Sequence, residues 1–403
     1  MTGKQTDQDM PQGLRPVAAA RRKPQGRPAS PAVVRRRPWW RRLMRGVMWT
    51  LTAIACVALF ATSYAGELVP SVYRGACILV MVFPFALIAV GTVAVLDLLV
   101  CRRALLLVAV SVAGCIPAIW DYMPLNIMSP KAGQGAPTFT MLTYNVSNFT
   151  DLTGRYPGDV NPTISYILRT NADIVNLQEA KIIGVSSRLH ITPAQIDSLY
   201  RAYPYVVLGC YSQAVLSKYP VKSVETGAPV KGGNEIAVFR INIEGEQVTL
   251  FNVHLQSYKL SKDDKSLYRE ITDLNKNETD KLGEIRSQLL SKIQAAAEGR
   301  ENDVARLGRY INRYGGPNVI VAGDFNDVPG SYPLHYLSGF GLREVYPEVG
   351  FGPMITFNSD RFYFRIDHVL YRGAIKPLMI DRGRLRSSDH YPLLVRFELT
   401  SAD

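Results

Sequence analysis

The chain has 403 residues and a formal net charge of +12, so it is long enough for more than one domain. Residues 1–45 hold 12 Lys/Arg against 2 Asp/Glu, whereas residues 138–403 hold 30 against 29, so the basic excess gives no support for a nucleic-acid-binding face on the larger part. Cys56, Cys77, Cys101 and Cys115 sit in or beside apolar segments and Cys210 stands alone, which excludes a disulfide framework and leaves no zinc ligand set.

Residues 1–42, rich in Arg, Pro, Gln and Ala, have little to build a core and are predicted to be a disordered arm attracted to anionic headgroups. Three apolar segments follow, at 43–65, 75–97 and 104–120. The first carries one charge, Arg45, at its edge, and Gly75 to Leu96 is uncharged. Ala104 to Trp120 is uncharged but short, near the lower limit for crossing a hydrocarbon core of ~30 Å. A cleaved signal peptide does not suit a first run this long with two more behind it.

Arg35, Arg36, Arg37, Arg41, Arg42 and Arg45 precede the first segment, and Arg102-Arg103 fill the second connection. The positive-inside rule therefore places the arm in the cytoplasm. Three crossings put the C-terminal domain on the far side, periplasmic or extracellular for a bacterial inner membrane; two would leave it cytoplasmic.

A Pro/Gly-rich linker, 121–137, leads to a domain expected over 138–403. Thr140 to Val146 reads as a strand presenting Asn145. Pro162 and Thr163 open a helix through Ile164, Ile167 and Leu168, and Ala172 to Glu179 is a strand with Glu179 at its tip. Thr192 is a fitting cap before Pro193 for a helix to Tyr203. Strands are predicted at Tyr205–Gly209, Ala214–Ser217, Glu235–Ile243 and Gln247–Leu255, the last two a hairpin through Glu244-Gly245-Glu246 that ends on His254.

Leu282, Ile285, Leu289, Ile293 and Ala296 then recur at helical spacing, behind a charged insertion, Lys259 to Asp280, read as a solvated helical element with a lid or membrane contact as the alternative. Three short stretches close the chain, each beside a run that reads as a buried strand. Asn318 to Val321 leads to Gly323-Asp324-Phe325-Asn326, and Phe362 to Phe364 leads to Arg365-Ile366-Asp367. Ser388-Asp389-His390 opens the run His390 to Phe397.

This alternation suits an α+β fold, a four-layer sandwich of two packed mixed β-sheets flanked by helices and preceded by about three transmembrane helices. Acidic and amide side chains delivered at strand ends are what a hydrolytic metal site needs. A hard divalent cation takes oxygen ligands, and phosphate hydrolysis wants that cation beside a base and an oriented water.

In this order the motifs resemble the endonuclease/exonuclease/phosphatase superfamily, over roughly residues 138–400. Its members include deoxyribonuclease, apurinic endonucleases, sphingomyelinases and inositol polyphosphate 5-phosphatases. The resemblance implies Mg²⁺, with Mn²⁺ as a substitute, held by Glu179 with Asn145 and Asp389. It implies that Asp324 positions or deprotonates the attacking water and that Asn326 hydrogen-bonds the phosphate. Asp367 and His390 read as a pair in which the carboxylate fixes the imidazole tautomer, raises its pKa and leaves the other nitrogen for phosphate.

His254 is similar to the second histidine of deoxyribonuclease and sphingomyelinase members, where apurinic endonucleases carry tyrosine. His368, on the opposite strand face from Asp367, is expected to pack; the carboxylate that supports His254 in deoxyribonuclease has no clear counterpart, Glu235 being a candidate by sequence proximity alone. The expected partners are a bilayer, through three transmembrane helices, and a phosphoester substrate: lipid headgroup, small phosphoester or nucleic acid. No obligate protein partner is evident. The function implied is a membrane-anchored, metal-dependent phosphoesterase acting on diesters or monoesters, with an endonuclease acting on DNA or RNA as the alternative. A non-catalytic binding module would have no use for the full residue set.

Overall fold

The computed structural model describes residues 38–150, 160–180, 191–209, 212–225, 235–258, 279–359 and 362–400. Most of the basic arm, His190, Cys210 and nearly all of the Lys259–Asp280 insertion lie outside the described residues.

Helices α1 (Trp39–Tyr64) and α2 (Ala76–Val100) are long and apolar enough to cross a membrane. The third apolar segment is two helices, α3 (Leu105–Gly114) and α4 (Ile116–Tyr122), bent by 66°. Pro117 explains the break, because it has no N–H to donate and its ring crowds the carbonyl four residues back. Taken as one span the pair would be a third crossing. Ala55, Cys56 and Leu59 of α1 pack with Phe83, Ala86 and Val90 of α2 and with Val108 of α3.

Two six-stranded mixed sheets follow. The first runs β13 (Ile375–Arg382), β14 (Leu393–Leu399), β1 (Thr138–Asn145), β2 (Ile174–Gln178), β4 (Ala214–Ser217) and β3 (Tyr205–Leu208). The second runs β5 (Val221–Glu225), β6 (Glu235–Ile243), β7 (Glu246–His254), β8 (Asn318–Asp324), β12 (Asp367–Arg372) and β9 (Arg343–Glu344). A separate hairpin pairs β10 (Phe357–Ser359) with β11 (Phe362–Phe364). The pairs β1–β2 and β7–β8 are parallel, and both return through helices: α5 (Pro162–Thr170), and the long α7 (Thr279–Tyr314) that follows α6 (Pro193–Ala202) in the chain. Asn161 caps α5, and Thr192 with Gln195 forms a reciprocal capping box on α6.

Strand side chains alternate between faces, and that period of two sorts the core. Phe139 and Met141, Ile174, Val215, Phe239 and Ile241, Leu250, Ile320, Val369 and Phe397 fill the space between the sheets. The intervening residues Leu142, Tyr144, Val175 and Leu177 pack instead on Ile164, Ile167 and Leu199 of α5 and α6. On the other side Phe251, Val319, Val321 and Leu370 pack on Val304, Leu307 and Ile311 of α7 and on Leu337 of α8 (Tyr332–Ser338). Two mixed sheets flanked by helices are the result.

Two boundaries differ from the sequence reading. The run from His390 becomes a strand only at Leu393, since Pro392 offers no N–H to a ladder; His390 itself makes an isolated bridge to Phe357. Phe362–Phe364 joins neither main sheet, and Tyr363 is exposed.

Gly323 sits one residue before Asp324 with φ +146°, and a Cβ there would lie 2.0 Å from the Val253 carbonyl oxygen on the parallel neighbour β7. Gly323→Ala should therefore force β7 and β8 apart and lower stability by on the order of 3 kcal/mol. A thermal melt of the variant overlaying that of the native chain would contradict this close approach.

Candidate active site

Sheet register brings the polar strand ends together. Asp367 is the ladder partner of Asp324, Asp324 of His254, and His254 of Glu235, so these four form one row across the second sheet. In the first sheet Asn145 is the partner of Gln178. Asn145, His254, Asp324 and Asp367 share the face of the inter-sheet core residues two or more positions back along their own strands.

Beneath this row lies a layer of amides that the sequence analysis did not single out. Gln178 donates to the Asn252 side-chain oxygen at 2.8 Å, and Asn252 donates to the Leu177 carbonyl at 2.9 Å. Asn176 donates to the Ala322 carbonyl at 3.1 Å, and Gln213 to the Asn252 carbonyl at 2.9 Å. Each bond joins one sheet to the other. A net ~1 kcal/mol apiece is modest, but together they fix the spacing of the sheets directly under the site. The legible signal was parity, because Asn176, Gln178 and Asn252 are polar at positions whose alternation points inward.

Above that layer the Asn145 amide nitrogen donates to Glu179 Oε1 at 3.1 Å and to Asp324 Oδ2 at 3.0 Å, and its own oxygen accepts the Ser147 N–H at 3.1 Å. Glu179 adopts φ +52° just beyond β2, and its carbonyl accepts the Asn148 N–H. A non-glycine residue held left-handed costs on the order of 1 kcal/mol, and the turn directs this carboxylate toward Asn145. Its side chain is 33% exposed, so the site opens to solvent at Glu179.

Asp324 is buried, and its second oxygen accepts the Asn326 N–H at 2.8 Å. Asn326 was expected beside Asp324 on one strand end. It lies past the end of β8 instead, in a left-handed turn with φ +51°, and its amide donates to the Leu255 carbonyl.

Asp367 and His390 form the expected pair, Oδ2 to Nδ1 at 2.8 Å, and His390 Nε2 lies 3.5 Å from Asp324 Oδ2. Burial favours the neutral ring, but the carboxylates of Asp367 and Asp324 outweigh it and push the His390 pKa up to about 10. His254 Nε2 lies 3.7 Å from Asp324 Oδ2 and 3.9 Å from Glu179 Oε1. Glu235, directly across the ladder from His254, is buried and accepts both the N–H and the hydroxyl of Ser212.

Two hydroxyls hold the dyad in place, Ser388 from the Ser-Asp-His stretch and Thr356 from outside every motif. Ser388 donates to the Asn145 carbonyl and accepts the His390 N–H, while Thr356 accepts the N–H groups of both Ile366 and Asp367. Asp389 stands beside the dyad, half-buried, with its carboxylate on the Ser388 hydroxyl at 3.3 Å. His368 faces away, packed edge-on against Phe325 and bonded to Glu344 at 2.7 Å.

Asp324, Asp367 and His390 bring one donor atom each within 4.8 Å of one another. The Asp367–His390 bond already engages two of those groups, and Glu179 of the first sheet, partly exposed and linked to Asp324 through the Asn145 amide nitrogen, is the further carboxylate that could hold an ion. Hard oxygen donors without a thiolate suit Mg²⁺ or Mn²⁺. A cavity of about 440 Å³ lies elsewhere, between the ends of α1 and α4 and the residues around Glu344, and takes no part in this chemistry.

The sequence profile of the Endonuclease/Exonuclease/phosphatase family matches residues 142–390, well over half of the chain. The chain belongs to this family. No curated protein matches it. Among solved structures, the family protein from Beutenbergia cavernae is 18% identical with a TM-score of 0.43, over 66% of this chain and 72% of that one. A humanized TDP2 of D. rerio is 16% identical with a TM-score of 0.42, over 64% and 98%. A family protein from Bacteroides thetaiotaomicron is 15% identical with a TM-score of 0.41, over 66% and 98%.

Replacing Asp367 by Asn removes the charge that stabilises the imidazolium, so the His390 pKa must fall. Nitrogen-15 NMR of histidine-labelled chain should show His390 charged at pH 8 in the native protein and titrating at lower pH in Asp367→Asn. Identical titrations would refute the pairing.

Proposed function

We propose that this family member is a membrane-anchored, divalent-metal-dependent phosphoesterase of the deoxyribonuclease/sphingomyelinase type. The observation that carries the reading is the convergence of Asn145 and Glu179 from one sheet with His254, Asp324 and the Asp367–His390 pair from the other. Glu179, with Asn145 and Asp389, would hold Mg²⁺ or Mn²⁺. Bound there, the ion supplies positive charge for the phosphoryl oxygens.

The chain's own residues account for the proton movements. Asp324, its carboxylate oriented by the Asn145 amide and the Asn326 N–H, takes the proton of the attacking water. As the new P–O bond forms, His390 stays cationic and presents Nε2–H to a phosphoryl oxygen, because Asp367 occupies Nδ1. The Asn326 amide is the second donor for phosphate. His254 offers Nε2 on the same side of Asp324 and gives a proton to the leaving oxygen as the ester bond breaks.

Two experiments test the reading. Hydrolysis of bis(4-nitrophenyl) phosphate by the full chain should vanish in EDTA and return with Mg²⁺ or Mn²⁺. Asp324→Ala and His390→Ala should each lower kcat by on the order of 10²-fold or more with the melting temperature retained. Undiminished turnover in excess chelator would sink the metal requirement, and turnover within a few-fold of native in folded variants would sink the assigned roles.

The Arg-rich ends of the apolar segments place the catalytic domain outside the cytoplasm when α3 and α4 form one crossing. A C-terminal alkaline phosphatase fusion should then be active and a C-terminal green fluorescent fusion dark. The opposite pattern would reduce α3–α4 to a re-entrant element.

A further inference from the structure

The segments that carry the catalytic residues are also the segments that grip the membrane helices. Ala65, at the end of α1, and Val80, one turn into α2, are buried in a single apolar cluster with Val328 and Ile366. Val328 follows Asn326 by two residues, and Ile366 immediately precedes Asp367. Phe357 packs on the same cluster, and its ring lies edge-on to the His390 imidazole with centroids 5.0 Å apart. The Tyr258 hydroxyl, four residues beyond His254, meets the Met81 sulfur at 3.7 Å. A Cβ on Gly66 would lie 1.7 Å from the Gly330 carbonyl oxygen, so the two backbones touch.

These contacts fix depth as well as proximity. At 1.5 Å per residue the 25 residues of α2 measure ~38 Å, longer than a hydrocarbon core of ~30 Å. The first turns of α2 are what the domain holds, and the excess of about 8 Å is long enough for them to reach the headgroup layer. The junction is not a loose tether. Ser71, in the α1–α2 connection, donates its N–H and hydroxyl to Glu301 of α7, and Gln294 of α7 bonds both the Pro70 carbonyl and the Gly75 N–H. Arg365, two residues before Asp367, donates to the Asp121 carbonyl at the end of α4. Val72 and Tyr73 of the connection, and Ile127 and Met128 just after α4, are exposed apolar side chains.

We propose that the site acts on the phosphoester of an amphiphile resident in the same bilayer that anchors the chain. This rests on the phosphoesterase reading and names its substrate class. A site whose neighbours Ile366 and Val328, one and two residues from Asp367 and Asn326, touch Ala65 and Val80 would stand near the level of lipid phosphates. Diffusion in the plane delivers them at high local concentration, whereas a duplex would have to approach along a charged surface. Sharing one bilayer is worth on the order of 10²-fold over a dissolved ester of the same headgroup.

The test uses the full chain reconstituted in vesicles of phosphatidylethanolamine and phosphatidylglycerol with Mg²⁺. Long-chain phosphatidic acid, phosphatidylglycerol and sphingomyelin are each compared with their water-soluble short-chain counterparts, and each long-chain lipid is supplied either in the enzyme's own vesicles or in separate ones. At least one long-chain ester should be cleaved with kcat/KM ten-fold or more above its soluble counterpart, and only in the vesicles that hold the enzyme. Bis(4-nitrophenyl) phosphate reports independently on the chemistry. If it is cleaved while every long-chain ester falls below that ten-fold margin, or separate vesicles are consumed as fast as the enzyme's own, or a DNA oligonucleotide outruns every lipid, the substrate assignment is overturned and the phosphoesterase reading survives. If nothing is cleaved at all, both fall.

Discussion

One amide nitrogen holds the site together. Asn145 donates to Glu179 from its own sheet and to Asp324 from the opposite one, so two carboxylates that would repel across the gap share a single donor. Each buried carboxylate costs several kcal/mol if it is left unpaired. Here the Asn145 amide donates to Asp324 Oδ2, and the Nε2 atoms of His390 and His254 lie 3.5 and 3.7 Å from the same oxygen. The sheets cannot slide against each other without breaking that arrangement, which is why the amide layer of Asn176, Gln178, Gln213 and Asn252 lies directly beneath it.

The same economy governs the histidine dyad. His390 lies before its strand begins, in a segment held by the β10–β11 hairpin: Asn358 donates to the Asp389 carbonyl, and Tyr391 donates to the Thr356 carbonyl. Thr356 in turn fixes the backbone of Asp367 and Ser388 fixes that of His390, so both members of the pair are positioned through hydroxyl groups. On the reverse face of β12, Glu344 accepts Arg365 at 2.5 Å and His368 at 2.7 Å. Burial alone would raise its pKa, but these two partners hold it below the ordinary carboxylate value. That lock ties the Asp367 strand end to α4, so the order of the site and the docking of the apolar helices depend on the same few residues.

Much of this was legible from alternation. Strands ending on Asn145, His254 and Asp324 carry inward apolar residues at even offsets, so their last side chains had to point between the sheets. Glu179 was readable as a strand tip, though not as a left-handed residue. Asn326 was misplaced because a turn immediately past β8 breaks the period: Asp-Phe-Asn-Asp holds the Asp and Asn that favour a turn, but the apolar run before it reads as a continuing strand. Thr356 carries no signal of its own, and Ser388, though it opens the Ser388-Asp389-His390 stretch, shows no role there, since both roles exist only once the β10–β11 hairpin folds over them. The pairing of Ala65 and Val80 with Val328 and Ile366 joins residues hundreds of positions apart, and no local pattern announces such a contact.

Two sheets converge on one polar centre, with Glu179 as its solvent-facing carboxylate. Mn²⁺ titration of the full chain followed by electron paramagnetic resonance reads that centre without any substrate. One class of bound Mn²⁺ is expected in the native protein, weakened at least ten-fold in Glu179→Gln and displaced by excess Mg²⁺. Equal Mn²⁺ affinity in a folded Glu179→Gln chain, or no saturable binding in the native one, would contradict it.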